Sequence, residues 1–334
     1  MKPPSDGGSA VNSDPFLGPL SRAARGAGYA SLTTVLVAFA ANLLVAVAKS
    51  IAAVVTGSAS ILAEAAHSWA DTGNEVFLVI AYRRSQRPPD SAHPLGHGRE
   101  AYVWSLLAAL GLFVAGAAVS VTHGVQELVH PAEATDFLVG YVVLVVSFVL
   151  EGISFLRSVR QVRPTAELME RDLIGAVMAT SDPTLRAVFA EDSAALIGLV
   201  IAAAGLGAHQ VTGSSIPDAV GSILVGLLLA AVATVLIDRN REFLIGEEAD
   251  PRVRAAAIQA LLAEPDVARV TYLRIEFVGP RRVSIVGDVD LVGDDTESNV
   301  AVRLRALEAK IDASPAVAGT LLSLSAPDEP SLPR

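Results

Sequence analysis

Along the first two thirds of the chain, apolar residues come in six long runs, at roughly 30–54, 58–81, 101–123, 137–156, 185–208 and 216–237. A helix needs about 20 mostly apolar residues to cross a bilayer. The pattern therefore predicts a transmembrane domain of six helices over 29–238. Beyond it the periodicity changes. "DPRVRAAAIQALLAEP" is helical and opens on Asp250 and Pro251, residues suited to a cap and a first turn. "VARVTYLRIEFVG" and "RRVSIVGDVDLVG" alternate as strands do, around the turn "GPRR". "DTESNVAVRLRALEAKIDAS" reads as an amphipathic helix and "AGTLLSLSA" as a last short strand. The predicted fold class is thus a helical membrane protein with a small α+β domain, in the order α-β-β-α-β, at 239–326 and a tail at 327–334. A domain of that size gains stability from a partner copy.

The first residues, "MKPPSDGGSAVNSDPFLGPL", are rich in Pro, Gly and Ser, so 1–28 is predicted to be disordered. They lack a basic start followed by an apolar core and a cleavage site, and no signal peptide is expected. Arginines mark one side of the membrane. Arg22 and Arg25 precede the first run, and Arg83, Arg84, Arg87 and Arg99 lie between the second and third. Arg157, Arg160, Arg163, Arg171 and Arg186 lie between the fourth and fifth, and Arg239 and Arg241 follow the sixth. The loops "VTGS", "VQELVHPAEATD" and "HQVTGSSIPD" have none. Both termini are therefore predicted to be cytoplasmic, with the protein in the cell membrane. The composition agrees: 52% of residues are hydrophobic and 18% charged. A net charge of −10 is not a nucleic-acid signature, and no such partner is expected. The chain has 0 cysteines, which excludes disulfides and leaves His and carboxylate as metal ligands.

Chemistry enters with "AEAAHSWADTGNEV", which puts Glu64, His67, Asp71 and Glu75 inside the second apolar run. His67 and Asp71 are one helical turn apart on one face, and Glu64 lies on nearly the same face. An ionised carboxylate at the bilayer centre costs at least about 2.5–3.5 kcal/mol, so these groups must face the bundle interior with a partner or water. Imidazole and carboxylate on one face suit a borderline divalent cation such as zinc. In the fifth run, "AVFAEDSAALIGLVIAAAGL" places Glu191 and Asp192 early in a helix. A metal between the two helices would take His67, Asp71 and Asp192, with Glu191, Glu64 or water as the fourth ligand. Adjacent helical residues diverge by about 100°, so Glu191 and Asp192 cannot point alike. Lys49 is expected to snorkel to the outer surface, and Asn42 and Asn74 to bond between helices. Glu75 reads as an entrance or interhelical residue. Glu151 reads as a partner for an arginine or a proton-carrying group, and His123 and His130 as solvated residues. The loop "PPDSAHPLGHGRE" holds Asp90, His93 and His97, which fit either a second metal site or a solvated turn.

The segments "GSASILAEAAHSWADTGNE", "HPLGHGRE" and "EDSAALIG" carry a resemblance. Over about residues 30–326 the chain is similar to the cation diffusion facilitators, divalent-metal/proton antiporters with six spans and a cytoplasmic metallochaperone-like domain. The resemblance implies that His67, Asp71 and Asp192 are transport-site ligands. It also implies that Asp90, His93 and His97 form the loop site of some members, and that the C-terminal domain makes a homodimer. Where the family often has a histidine, this chain has Val188, and Glu191–Asp192 resembles a subgroup with an acidic pair. The expected activity is efflux of a divalent cation in exchange for protons, with zinc first and the harder ions manganese and iron(II) next. The C-terminal domain has no histidine; Asp288, Asp290, Asp294 and Asp295 are its candidates for loose cation binding. The protein is expected not to be an enzyme. The rival readings are a metal sensor or scaffold, a metal-dependent membrane hydrolase, for which the chain lacks H-E-x-x-H, and a channel.

Overall fold

The computed structural model describes residues 32–131 and 136–333; the segment 1–28, expected to be disordered, lies outside them. The described residues form two compact units, one holding the helices up to Glu247 and one holding the α/β elements from Glu248.

In the first unit the helices are α1 (Leu32–Thr56), α2 (Ala59–Ser85), α3 (Glu100–Val129), α4 (Phe137–Met169), a short α5 (Leu173–Ala179), α6 (Pro183–Thr212) and α7 (Ile216–Ile245). Among the described residues, α3, α4, α6 and α7 are long and apolar enough to cross a membrane. Among the described residues of α1 the apolar stretch is Asn42–Thr56, and α2 is set apart by its charges. The helices outrun the apolar segments that predicted them. Hydropathy marks only the part that suits lipid, whereas backbone hydrogen bonding carries α4 on to a left-handed Glu170 (φ 48°). Within α3, Leu112–Ala118 form a wider π turn.

Small residues let the helices meet closely. Gly124 of α3 lies against the Ala219 carbonyl of α7, and Gly226 of α7 against the Ala117 carbonyl of α3; a Cβ at either would collide. The helix α2 runs through the packed centre. Its Ala63 and Ala70 join Leu112 of α3, Ala194 of α6 and Val225 and Leu229 of α7 in one core. Its Ile61 joins Ala52 of α1, Leu144 of α4 and Leu206 of α6 in another. By contrast, α4 turns Val142, Val145, Val149, Ile153 and Leu156 outward, an apolar face suited to lipid.

The link from α1 to α2 is a tight turn. Gly57 adopts φ 67°, a conformation open to glycine. Ser58 then caps α2, its Oγ accepting from the Ile61 amide at 3.2 Å.

The second unit contains α8 (Pro251–Leu262), β1 (Val267–Gly279), β2 (Arg282–Leu291), α9 (Glu297–Asp312) and β3 (Val317–Leu324). The strands make one sheet in the order β1-β2-β3, with β2 and β3 parallel and Ile285 opposite Thr320. A parallel pair needs a long crossover, and α9 supplies it. The residues after β3 fold back. The Leu332 amide donates to the Val270 carbonyl at 2.8 Å, and Arg269 donates to the carbonyls of Ala326 (3.0 Å) and Glu329 (2.6 Å). Three of the four acids considered for loose cation binding have partners within the domain. Asp288 accepts from Ser323, Asp290 from Arg269 and Asp295 from Arg303.

Candidate metal site within the helices

The α2 periodicity sends its polar groups inward, as the cost of charge in lipid requires. His67 is 1% exposed, and its Nε2 lies 3.3 Å from Asp71 Oδ1, one turn on. The two are close enough for an ion pair. Both ring nitrogens of His67 and Oδ1 of Asp71 are buried without a hydrogen-bond partner. Buried polar atoms normally have partners, and those left without one call for an explanation. Here the imidazole and one carboxylate oxygen face the bundle interior beside each other.

The acidic pair on α6 splits as the 100° helical step requires. Glu191 Oε1 accepts from Asn74 Nδ2 of α2, whereas Asp192 Oδ2 accepts from Ser154 Oγ of α4 at 3.0 Å. Asp71, Glu75 and Asp192 are near enough to Glu191 to interact with its charge, and Glu151 of α4 similarly faces Asp192, Asp71 and His67. Thus His67, Asp71, Glu191 and Asp192 share one region between α2, α4 and α6. Their ligand atoms are not drawn into one tight group. Among the described residues, only Asp90, His93 and His97 bring three such atoms within 4.8 Å of one another. Val188, one turn before Asp192, offers no donor.

Other charges are placed differently from the sequence reading. Lys49 does not snorkel: it is 1% exposed, and its Nζ lies 3.0 Å from Oε2 of the fully buried Glu64. An inward carboxylate on α2 outcompetes a distant surface. Glu75 Oε1 accepts from Asn42 Nδ2 of α1 at 2.7 Å, an interhelical bond. Arg186, counted among the loop cations, is buried at the start of α6. It donates to the Thr180 carbonyl at 2.9 Å and to Asn240 Oδ1 of α7 at 2.8 Å, over the Phe243 ring. The one-sided arginine pattern stands without it. Two buried groups escaped the sequence reading. His209 packs edge-on against Phe137, with Nδ1 unpaired. Asp218 of α7 accepts from the Ala59 amide at 2.7 Å, from Ser58 Oγ at 3.0 Å and from Ser60 Oγ. The sequence signal for Asp218 was slight: an acid in the first turn of one helix and a serine-rich start, "GSAS", on another.

In the α2–α3 loop, Asp90 organises both imidazoles. Its Oδ1 lies 3.2 Å from His93 Nδ1 and its Oδ2 2.9 Å from His97 Nε2. The amides of Ala92 and His93 also donate to Oδ1, at 2.9 and 2.7 Å. Gly96 at φ 82° turns the chain so that His97 comes back. The His97 bond, then those from His93, hold the Asp90 carboxyl well below the usual carboxylate range. What that contributes to loop order is present above the ordinary carboxylate pKa and is lost only as pH falls through the depressed value. A metal here would take neutral imidazole and ionised carboxylate, so it would compete with protons for the same side chains. Replacing His93 and His97 together by Ala is expected to remove one bound metal per chain while leaving partial transport. An unchanged metal stoichiometry by elemental analysis would argue for a loop held by hydrogen bonds alone.

Four helices among the described residues, long and apolar enough to cross a bilayer and packed around an inward-facing set of imidazole and carboxylate side chains, mark a multi-pass membrane protein. A family model, the cation efflux transmembrane domain, matches residues 35–244. The proton-coupled zinc antiporter SLC30A9, mitochondrial, of Xenopus laevis is 36% identical over 259 residues, 78% of this chain and 46% of that protein. Metal tolerance protein C4 of Arabidopsis thaliana is 36% identical over 243 residues, 73% of this chain and 53% of that protein. Cation-efflux pump FieF of Escherichia coli O1:K1 / APEC is 36% identical over 95 residues, 28% and 31% of the two chains. The chain spans about half the length of the first two relatives. It belongs to the cation efflux family.

Proposed function

We propose that this protein exports a divalent metal cation in exchange for protons, by alternating access. The observation that carries the reading is the buried face of His67 and Asp71 on α2, 3.3 Å from each other, with Asp71 within charge range of Glu191 on α6. Metal, the substrate, binds neutral imidazole and ionised carboxylate, so its arrival releases protons, and protons from the far side release it. Histidine suits that exchange because its ordinary pKa of about 6.5 lies near working pH. No covalent step is involved, and a transporter rather than an enzyme is the reading that family membership favours. The binding set is His67, Asp71 and Asp192, with Glu191 as the fourth ligand where Asn74 releases it.

Zinc is the first candidate cargo. The imidazole supports it, as does the zinc antiporter named among the relatives. With one imidazole and several carboxylates, manganese and iron(II) are expected to compete more strongly than at a site with two imidazoles. The proposed arrangement has six spans, α1 to α4, α6 and α7, with the arginine-rich ends and both termini in the cytoplasm and the protein in the cell membrane. The α/β unit is its homodimerising domain.

The test is metal uptake into proteoliposomes under an imposed pH gradient. Zinc uptake that rises with the gradient and is inhibited by manganese is the expected result. Uptake indifferent to the gradient would point to a channel instead.

A further inference from the structure

We propose that Lys49 is an internal cation beside the transport site and that Glu64 serves as its counter-ion, not as a ligand of the transported metal. The proposal rests on the transport-site reading of His67 and Asp71 given above.

Lys49 stands on α1 about two turns before its end at Thr56. Its ammonium is held inward by Glu64, 3.0 Å away, in a pair from which solvent is excluded on both sides. A second tie, Trp69 Nε1 to Ser50 Oγ at 3.0 Å, keeps α1 and α2 together beside the pair. Glu64 is one turn before His67, and His67 lies within electrostatic range of both Glu64 and Lys49. His67 from α2 and Glu151 from α4 are within electrostatic range of both members of the pair. Across from it is α6, where Gly198 leaves space for the carboxylate; a Cβ there would collide with Oε1.

Glu64 thus has Oε2 committed to an ammonium, while Oε1 is buried against Gly198 of α6 without a hydrogen-bond partner. Recruiting this carboxylate to the metal would leave the Lys49 charge buried and uncompensated. That is the costly case for a buried ion pair, whereas the intact pair is electrically neutral toward its neighbours. Lys49 and Glu64 together therefore leave the metal affinity to His67, Asp71 and the α6 acids. Apart, they would not: an unmatched ammonium next to the site repels a divalent cation.

The two roles of Glu64 predict opposite outcomes in a mutant cycle. Zinc affinity is measured by titration calorimetry on monodisperse protein in detergent, and KM and kcat in proteoliposomes, with His67→Ala to identify the site. Glu64→Gln leaves Lys49 unmatched and is expected to weaken His67-dependent zinc binding by roughly tenfold or more. Lys49→Met in the Glu64→Gln background removes the repelling charge and is expected to restore affinity and KM to near the wild-type values. Lys49→Arg alone keeps the charge and is expected to bind zinc normally. If Glu64 is a ligand, the double variant stays as weak as Glu64→Gln, and the proposal is overturned. It is overturned too if Glu64→Gln lowers only the yield of folded protein and the folded fraction binds zinc as wild type does, the mark of a purely structural pair. If no part of the zinc binding, measured in the His93→Ala/His97→Ala background, depends on His67, the transport-site reading and this proposal are overturned together. Dependence on His67 without rescue overturns this proposal alone.

Discussion

His67→Ala and Asp71→Ala are each expected to abolish metal-driven proton flux in proteoliposomes, by at least about a hundredfold. Even groups that only support a ligand typically cost 10- to 100-fold when removed, and these two would be ligands themselves. The loss should not come from unfolding. Neither His67 ring nitrogen makes a hydrogen bond within the protein, so removing the ring breaks none. The size-exclusion profile of both variants is therefore expected to match wild type. Asp71→Asn is the sharper control, because it keeps the shape and removes the charge that neutralises the cation. Flux at the wild-type level in any of the three, with normal protein incorporation, would remove His67 and Asp71 from the transport site.

The parts of this site that were legible in the sequence are those fixed by one helix. The spacing of His67 and Asp71 determines a shared face, and the structure puts their side chains 3.3 Å apart. The divergence of Glu191 from Asp192 follows from helical geometry in the same way, down to the choice of different helices as partners. The apolar runs located the helices for a similar reason, but not their ends, because α4 and α7 continue well past the residues that suit lipid. What could not be read was pairing between helices. Lys49 and Glu64 are 15 residues apart, Arg186 and Asn240 are 54 apart, and Ala59 and Asp218 are 159 apart. A lysine near the end of an apolar run looks the same whether it reaches out to water or in to a carboxylate. Only the packing of α1 on α2 decides between them. The π turn in α3 was missed for another reason: Gly111 and Gly116 mark the spot, but isolated glycines in an apolar run do not specify a π turn, and it lies where α3 packs against α2 and α7.

Asp218→Ala is expected to be the most destabilising single change outside the metal site. The Asp218 carboxylate is 1% exposed and stands between the first turns of two helices, its own and α2. On α2 it takes the Ala59 amide, which has no partner within the helix, and two serine hydroxyls. The positive ends of both helix dipoles favour a negative charge there. Alanine would leave the Ala59 amide without its acceptor, and the Ser58 and Ser60 hydroxyls with only their longer contacts to each other and to the Ala202 carbonyl. A buried donor left without its acceptor costs about 1–3 kcal/mol. The thermal unfolding midpoint of the detergent-solubilised protein should fall clearly, and Asp218→Asn should fall less, since its amide oxygen can still accept. The consequence reaches the transport site, because Ala59 begins the helix that carries His67 about two turns later. If the Asp218→Ala midpoint stays within a degree or two of wild type, the carboxylate does not hold the start of α2. The orientation of the His67–Asp71 face must then come from the packing of Ala63 and Ala70 alone.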